Sequence, residues 1–311
     1  MPTIEVYKET LLGFLERDMD LHELEDLLPA AKAELDGYDD EEGIVKIELN
    51  DTNRPDLWST AGLGRQLRVY IDGNMPNYAF FSDPGATLDS ADRVVEVDPA
   101  LENIRPYVAA FAVTGKQIDE PALKDIIQTQ EKLCWNFGQK RASIAMGVYR
   151  SGLIDYPVQY LAADPKKTRF VPLQMDEALS LDEIIEKHPK GQDFGYIVKD
   201  FDRYPFLTDA NGEVLSFPPI INSNKLGAVE IGDTDLFIEM TGTDLKTLLL
   251  AVSIVACDMA DYGFTIHPVK TVYPYDTEFG REITSPYYFQ EPCSAKLKDI
   301  NKLLGVEFTI E

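Results

Sequence analysis

The sequence has few of the residues commonly used for nucleophilic or metal chemistry. It contains three histidines and three cysteines among 311 residues. The cysteines, Cys134, Cys257 and Cys293, stand far apart and in no spacing typical of a zinc site or a disulfide framework. We therefore expect reduced thiols, no bound metal and a cytoplasmic protein.

Long apolar runs and nucleotide-binding or hydrolase motifs are also missing from the sequence. No run of about 18 apolar residues is present, so we expect no membrane span. The first residues have no basic region and no cleavage pattern, which argues against a secretory signal. No HExxH, Walker, GxGxxG or Gly-x-Ser-x-Gly pattern occurs. A zinc protease, a self-contained nucleotide site and a serine-hydrolase elbow are therefore not predicted.

Positive charge is scarce. The sequence has 29 Lys and Arg against 54 Asp and Glu, a formal net charge of −25. Such acidity disfavours non-specific binding to nucleic acid, because phosphate contacts need clustered cations. Small basic groups occur only at 139–141 and 166–169, whereas the acidic segment 36–43 is typical of a solvated loop. Any contact with RNA is expected to use these small patches or a partner protein.

Apolar periodicity predicts a mixture of helices and strands. We expect helices over 7–17 and 20–35, and strands over 43–50 and 194–200. Strands outnumber helices without strict alternation, which favours an α+β fold. Further helices are predicted over 119–138 and 245–263, and further strands or hairpins over 142–150, 204–219 and 264–274.

Turn-forming residues divide the chain into regions. Segment 76–92 is rich in turn formers and marks a predicted boundary. We expect a small α/β module over 1–80 and a larger mixed-sheet domain with helices packed around it over 91–272. Residues 273–311 are predicted to be a connecting segment and the start of a further module.

A carboxylate interrupts the predicted buried strand at 235–241. Glu239 lies in its middle, and burying a carboxylate costs several kcal/mol unless it is paired or hydrogen-bonded. Because alternate residues share a face of a strand, Phe237, Glu239 and Thr241 point the same way. The chain then enters a predicted helix at 242–244, whose start offers unpaired N–H groups. This pattern indicates a pocket, and a structural Glu paired with a buried Arg or capping a turn is an equal alternative.

A second pocket wall is predicted at 215–222. This segment contains Ser216 and the rigid pair Pro218-Pro219. The same residues are also typical of a β-bulge or of a turn between sheets.

Several motifs resemble the beta subunit of phenylalanyl-tRNA synthetase. The pattern Asn-Arg-Pro-Asp-Leu at 53–57 is followed by Gly-x-x-Arg-x-Leu-Arg at 62–68. The archaeal and eukaryotic version of that subunit is also similar at "QEKL" (130–133), "FPPIINS" (217–223) and "LFIEMTGTD" (236–244). The resemblance covers nearly the whole chain, as the family's amino-terminal module, its tRNA-editing domain and the first turn of a truncated next module.

The resemblance implies a role in phenylalanine-tRNA ligase. In that family the alpha subunit makes the aminoacyl-adenylate with ATP and magnesium, in a two-alpha, two-beta complex. The editing module of the beta subunit hydrolyses tyrosine wrongly esterified to tRNA(Phe). This fragment is thus expected to lack the synthetic active site and to need no cofactor of its own.

The resemblance also implies an editing pocket that contains Leu207, Ser216, Glu239 and Thr241. Glu239 would accept the tyrosine hydroxyl, Ser216 and Thr241 would line the same cavity, and Leu207 would pack on the ring. No side chain is assigned to catalysis. Water would attack the ester, helped by backbone N–H donors at Gly242 and Thr243 and by the terminal hydroxyl of the tRNA.

Three positions depart from the family pattern. Archaeal relatives commonly have aspartate at the position of Glu239, and the family more often shows His and Arg at the positions of Cys134 and Gln139. A non-catalytic scaffold for assembly and tRNA docking, with a decayed pocket, is therefore an alternative. An amino-acid-binding or free-standing RNA-binding module is a third.

Overall fold

The computed structural model describes residues 2–81, 92–289 and 294–310, and their helices and strands form the expected α+β fold. The helices are α1 Lys8–Leu15, α2 Leu21–Leu27, α3 Thr60–Asp72, α4 Glu120–Lys132, α5 Leu181–Lys187, α6 Pro189–Phe194, α7 Leu245–Asp261 and α8 Leu297–Leu304. The strands are β1 Thr3–Tyr7, β2 Ala33–Asp39, β3 Ile44–Leu49, β4 Val94–Val97, β5 Tyr107–Thr114, β6 Ile144–Arg150, β7 Val158–Ala163, β8 Arg169–Phe170, β9 Leu179–Ser180, β10 Tyr204–Thr208, β11 Val214–Phe217, β12 Ile221–Asn222, β13 Leu236–Gly242, β14 Thr265–Val272 and β15 Glu282–Ser285.

The first strands form a three-stranded antiparallel sheet in the order β1-β3-β2. Asp20 caps α2 with a capping box, in which its carboxylate accepts from the N–H of Glu23. A 3-10 helix over Leu28–Ala31 follows α2, so the helix predicted over 20–35 was wrong only beyond Ala31. The chain turns at Lys32, whose φ is 51°, and residues 33–39 pair with β3, so sheet hydrogen bonding overrides a locally helical composition.

Ten strands form the large mixed sheet. Nine of them follow the order β12-β11-β10-β7-β4-β14-β5-β13-β6, and β15 pairs with β14. Strand β4 runs parallel to β7 and β14, whereas β13 is antiparallel to both neighbours, β5 and β6. A separate pair, β8-β9, covers a smaller apolar cluster. The position of β13 between two strands explains why all seven of its residues are buried.

Helix α7 packs against the strands around β13, as its almost wholly apolar sequence predicts. Asp244 caps it by accepting from the N–H of Thr247 at 2.8 Å. One apolar core runs from the first sheet through α7 to β15. The strand predicted over 194–200 was wrong, because residues 195–197 form a short 3-10 turn that continues from α6.

Buried polar contacts join α3 to α7. The Arg65 guanidinium donates to Asp258 at 2.8 Å and to Asp261 at 2.6 Å. Asp125 on α4 accepts from the Thr60 hydroxyl at 2.9 Å and from the Tyr262 hydroxyl at 3.0 Å. These contacts fix the first region of the chain against the helices of the large sheet.

Part of the predicted boundary at 76–92 lies outside the described residues, as does Cys293, and the division into three regions stays a prediction. Cys134 and Cys257 are free thiols. Within the three described segments, no helix combines the length and apolarity that crossing a membrane requires.

Candidate functional site

A cavity of about 460 Å³ opens between α4, the strands β6 and β13, and the chain segment around β11 and β12. Its walls are mostly apolar, with Ile126 of α4 on one side and Phe217 and Pro219 on the other. The peptide bond between Pro218 and Pro219 is cis. Glu239 lies at the buried end, so the cavity combines an apolar wall with a carboxylate.

The two oxygens of Glu239 have different surroundings. Oε1 accepts a hydrogen bond from the Tyr149 hydroxyl at 2.8 Å. Oε2 is buried and has no hydrogen-bond partner among the described residues. Burial raises the pKa of Glu239 to about 7, although the hydrogen bond from Tyr149 and the charge of Arg105 oppose this shift. The carboxyl is therefore poised between its neutral and charged forms near neutral pH.

Gly147 makes the approach of Tyr149 to Glu239 possible. It lies directly opposite Glu239 in the β6–β13 pair. A Cβ atom at this position would lie 2.1 Å from the Tyr149 hydroxyl and 2.5 Å from Glu239 Oε1. The Tyr149 side chain, two residues along the same face, therefore leans back over Gly147. The same hydroxyl lies 2.9 Å from Oγ of Ser216 on β11.

The structure brings two of the four predicted pocket residues to the cavity. Ser216 and Glu239 line it, and both contact the Tyr149 hydroxyl. Leu207 faces Ser216 across the β10–β11 pair, but it belongs to the apolar core and is not among the cavity walls. Thr241 is also fully buried and away from the cavity walls.

Thr241 is held by a buried arginine. The Arg105 guanidinium donates from Nε to the Thr241 hydroxyl at 2.9 Å and from Nη2 to the Thr241 carbonyl at 2.6 Å. A third donor reaches the Ala142 carbonyl at 3.0 Å. No ion pair within 4 Å joins Arg105 to Glu239 in the described part of the chain, so Arg105 acts on Glu239 through its charge and not by contact.

The predicted backbone donors lie at the C-terminal end of β13, three and four residues beyond Glu239. Gly242 pairs with Tyr107 and Ile144 in the sheet, and the N–H of Thr243 already donates to the Ser143 carbonyl at 3.1 Å. Neither Gly242 nor Thr243 lines the cavity that contains Glu239. Their help to the attacking water stays a prediction, and it would require a change in these contacts.

Sequence reasoning missed Tyr149 and Arg105. A signal for the first was available, because Gly147 interrupts an apolar strand, and a glycine there often marks a close approach of other groups. Tyr149 stands two positions later on the same face. Arg105 had no local signal, since it lies in a loop before β5 and its partner Thr241 is 136 residues away.

A second cavity of about 490 Å³ adjoins the first, and both are lined by Glu131, Arg141 and Lys190. Trp135 lines the second cavity with 54% of its surface exposed, and the Lys140 ammonium lies 5.1 Å from its ring centre. An aromatic face and several cations thus border the second cavity.

The backbone beside Trp135 is unusual. Residues 133–137 form a π-helical turn after α4. Gln139, Lys140 and Arg141 then have φ values of 51°, 55° and 68°, a left-handed run that non-glycine residues seldom adopt. Both features are found at functional sites more often than elsewhere. Cys134 is buried here, and burial raises the pKa of its thiol to about 11, so it is packed and not reactive.

Comparison with known proteins links both ends of the chain to one family. A family model described as the Phe-tRNA synthetase beta subunit B1 domain matches residues 1–73. The phenylalanine–tRNA ligase beta subunit of Borreliella burgdorferi (strain ZS7) is 49% identical over 100% of this chain and 55% of its own length. That of Borrelia hermsii (strain HS1 / DAH) is 46% identical over the same shares.

The chain therefore spans about half the length of the curated relatives that it matches. A solved structure also matches, the crystal structure of an N-terminal fragment of the phenylalanyl-tRNA synthetase beta subunit from Pyrococcus horikoshii. It is 36% identical, with a TM-score of 0.89, and the match covers 99% of this chain and 86% of that one. The likeness in sequence and fold over almost the whole chain shows that this protein belongs to the phenylalanyl-tRNA synthetase beta-subunit family.

Proposed function

We propose that this chain edits tRNA(Phe) by hydrolysing tyrosine that has been wrongly esterified to it. The observation that carries the proposal is the unpartnered Oε2 of Glu239, a buried carboxylate oxygen at the end of a mostly apolar cavity. A buried acceptor without a partner is costly, which suggests that a ligand completes it. The phenol of tyrosine has the matching shape, an apolar ring that ends in a hydroxyl donor.

The same contact would separate tyrosine from phenylalanine. Tyrosine would donate its phenolic proton to Oε2, whereas phenylalanine would bury the carboxylate without a partner. Sites that hydrogen-bond a substrate hydroxyl reject the analogue lacking it by about 10⁴- to 10⁵-fold. The apolar wall from Ile126 and Phe217 would hold either ring, so the selectivity would come from Glu239.

Hydrolysis of an aminoacyl ester needs little chemistry from side chains. The ester is already activated, so a placed water and stabilisation of the developing charge are enough. Ser216 supplies a hydroxyl to the cavity lining and lies 2.9 Å from the Tyr149 hydroxyl. We therefore propose direct attack by water, and we assign no covalent nucleophile.

The second cavity supports an RNA end as the rest of the substrate. Exposed aromatic rings stack on bases, and nearby cations bind phosphates. Trp135 offers such a ring, and Lys132, Lys140 and Lys190 lie around it without an ion pair within 4 Å among the described residues. The 3′ end of the tRNA would lie over Trp135 while the amino acid enters the first cavity.

Synthesis of Phe-tRNA would take place elsewhere. We propose that this chain assembles with an alpha subunit in a two-alpha, two-beta enzyme of the cytoplasm, and that the alpha subunit uses ATP and magnesium. Among the described residues, no group of three His, Cys, Asp or Glu side chains is placed to hold a metal ion.

The test compares deacylation of Tyr-tRNA(Phe) and Phe-tRNA(Phe) by the assembled enzyme and by its Glu239→Gln variant. We expect rapid loss of tyrosine from the parent enzyme and loss of the preference in the variant. Glu282→Gln is the matched control, because this carboxylate is 64% exposed on β15. Equal clearance of tyrosine by the parent and Glu239→Gln would overturn the role of Glu239.

A scaffold with a decayed pocket is the second candidate. One observation favours it, because the Tyr149 hydroxyl already binds Glu239 and gives the buried carboxylate a structural partner. The same assay decides between the two. Failure of both the parent enzyme and the variant to clear tyrosine, with normal aminoacylation, would support the scaffold.

A further inference from the structure

We infer that Tyr149 is a positioning residue for the editing reaction, which orients Glu239 so that one oxygen remains free for the substrate phenol. The inference rests on the proposed editing function. Tyr149 is fully buried, and its hydroxyl lies 2.8 Å from Oε1 of Glu239. One carboxylate would then serve two phenols, that of Tyr149 at Oε1 and that of the misattached tyrosine at Oε2.

The first support is geometric. A glutamate side chain has three rotatable torsions, so an unrestrained carboxylate would point in several directions within a cavity of this size. The Tyr149 ring packs beside Phe237 with 6.2 Å between ring centres, which holds the phenol in place. Its hydroxyl is also 2.9 Å from Ser216 Oγ on a different strand. Glu239 is thus oriented by a rigid group that is itself held from two sides.

The second support is the absence of a side chain at position 147. Gly147 stands where a Cβ would overlap both the Tyr149 hydroxyl and Glu239 Oε1. Any other residue there would force the two groups apart. Glycine has a low β-propensity and is unfavourable within a strand. At this position it leaves the space in which the Tyr149 phenol can contact the Glu239 carboxylate.

The third support is electrostatic. The titratable and charged groups that interact with Glu239 are Tyr149 on β6, Arg105 before β5, Tyr160 on β7 and Cys134 in the turn after α4. Burial raises the pKa of Glu239. The Tyr149 hydrogen bond is the larger of the two effects that lower it and so favour the ionised carboxylate, and the charge of Arg105 is the smaller. Without the phenol, Glu239 would take up a proton at higher pH. A neutral carboxyl is a weaker acceptor for the substrate hydroxyl.

Tyr149→Phe tests the inference, because it removes one oxygen and keeps the ring. Hydrogen bonds to charged groups correspond to roughly a tenfold to hundredfold effect on a rate when lost. We expect a fall of that size in kcat/KM for Tyr-tRNA(Phe) near neutral pH, with partial recovery as the pH rises. Hydrolysis of Phe-tRNA(Phe) should stay slow. Tyr273→Phe is the matched control, because its hydroxyl is equally buried but bonds the Val108 backbone.

A measurement without substrate separates this inference from the proposed function. Carbon NMR of the Glu239 carboxyl in the 311-residue chain reports its titration directly. We expect the midpoint to move to higher pH in Tyr149→Phe and to stay unchanged in Tyr273→Phe. Gly147→Ala is a second route to the same result, because it displaces the phenol without deleting it.

The outcomes are distinct. A shifted midpoint together with no editing by the parent enzyme would refute the proposed function and the role of Tyr149 in editing, while leaving the contact between the two residues established. Normal editing by the parent with unchanged rates and midpoint in Tyr149→Phe and Gly147→Ala would overturn the inference alone.

Discussion

The Tyr149 hydroxyl and the Glu239 carboxylate meet 2.8 Å apart in the interior of the large sheet. They come from neighbouring antiparallel strands, in which Glu239 is paired with Gly147 and Tyr149 with Phe237. The Tyr149 hydroxyl and Glu239 Oε1 occupy the space that the Cβ atom of any other residue at position 147 would need. The absence of a side chain at one position thus permits a polar contact in an otherwise apolar core.

Gly147→Ala should separate the two groups. The new methyl would lie 2.1 Å from the Tyr149 hydroxyl in the present arrangement, so the tyrosine must move. We expect loss of stability of about 1–3 kcal/mol, the usual cost of overpacking a core, together with loss of selective tyrosine clearance. Urea denaturation and the deacylation assay measure the two effects.

The matched control for that change is Gly152→Ala. No atom lies within 4 Å of the Cβ that this substitution would add. It should leave both stability and clearance unchanged. A Gly147→Ala protein as stable and as selective as the Gly152→Ala protein would show that the close approach has no energetic consequence.

Glu239→Gln should change how stability depends on pH. Burial raises the pKa of Glu239 from its ordinary 4.5 to about 7 in the folded chain. The neutral carboxyl therefore makes its full favourable contribution to the free energy of unfolding below pH 4.5. This contribution is lost as the pH rises through about 7. Glutamine carries no charge at any pH, so the variant should be the more stable protein in alkaline solution.

The size of the difference in stability between the parent and Glu239→Gln follows from the shift in the pKa of Glu239. At about pH 9 we expect Glu239→Gln to be more stable by roughly 1–3 kcal/mol, and at about pH 4 the two proteins should converge. Denaturant titrations at both pH values measure this, with Glu282→Gln as the exposed control. A constant difference across the range would contradict ionisation in a buried site.

Trp135→Ala should weaken the binding of single-stranded RNA. The chain has two tryptophans, of which Trp58 is buried and Trp135 is 54% exposed. Titration with a short RNA ending in CCA should quench the fluorescence of Trp135 alone. Loss of the stacking platform should reduce affinity by about 1–3 kcal/mol.

Tyr70→Ala provides the comparison, because Tyr70 is a similarly exposed ring on α3, remote from the cavities. Binding should also weaken with added salt if lysines contact phosphates. RNA affinity equal in Trp135→Ala and the parent chain would exclude this surface as the path of the RNA. Glu239→Gln should bind the RNA normally, since it lies in the other cavity.

Arg65→Ala should be strongly destabilising. The substitution leaves Asp258, 8% exposed, and Asp261 without their cation. Breaking a buried ion pair by removing one partner costs about 3–5 kcal/mol. Burial already raises the pKa of Asp258 to about 7 against the opposing charge of Arg65, and loss of that charge should raise it further, so the variant should regain stability as the pH falls toward neutral.

Arg68→Ala is the control that distinguishes loss of a buried ion pair from loss of a positive charge alone. Arg68 lies on the same helix, but its ion pairs with Glu16 and Asp72 are largely exposed. Exposed pairs contribute about 0–1 kcal/mol, so this variant should unfold near the parent's urea midpoint. Equal losses in the two variants would indicate that the α3–α7 contact depends on total charge and not on the buried network.

Local sequence signals predicted the elements around the site. Glu239 lies in the buried strand that periodicity predicts, and the helix predicted over 245–263 is present as α7. These features depend on residues within one turn or one strand, so a single stretch of sequence contains the whole signal. The motifs at 53–68 and 217–244 were sufficient to identify the family.

The side-chain contacts within the candidate site could not be predicted from local sequence signals. Tyr149 and Glu239 are 90 residues apart, and Arg105 and Thr241 are 136 apart. The predicted set of Leu207, Ser216, Glu239 and Thr241 comes from β10, β11 and β13, which are not all neighbours in the strand order, and only Ser216 and Glu239 line the cavity. Residues two apart on one strand face share a direction, but their partners on other strands decide which of them meets a cavity.

The sequence by itself determined the α+β class, the apolar helix behind the site and the buried position of Glu239, because each follows from local periodicity and composition. Only the tertiary structure decided that Gly147 leaves room for Tyr149, that Arg105 holds Thr241, and that Oε2 of Glu239 remains without a partner. The physical reason is that strand order and register bring residues that are distant in sequence within hydrogen-bonding distance. Neither strand order nor register can be predicted from a single segment of the chain.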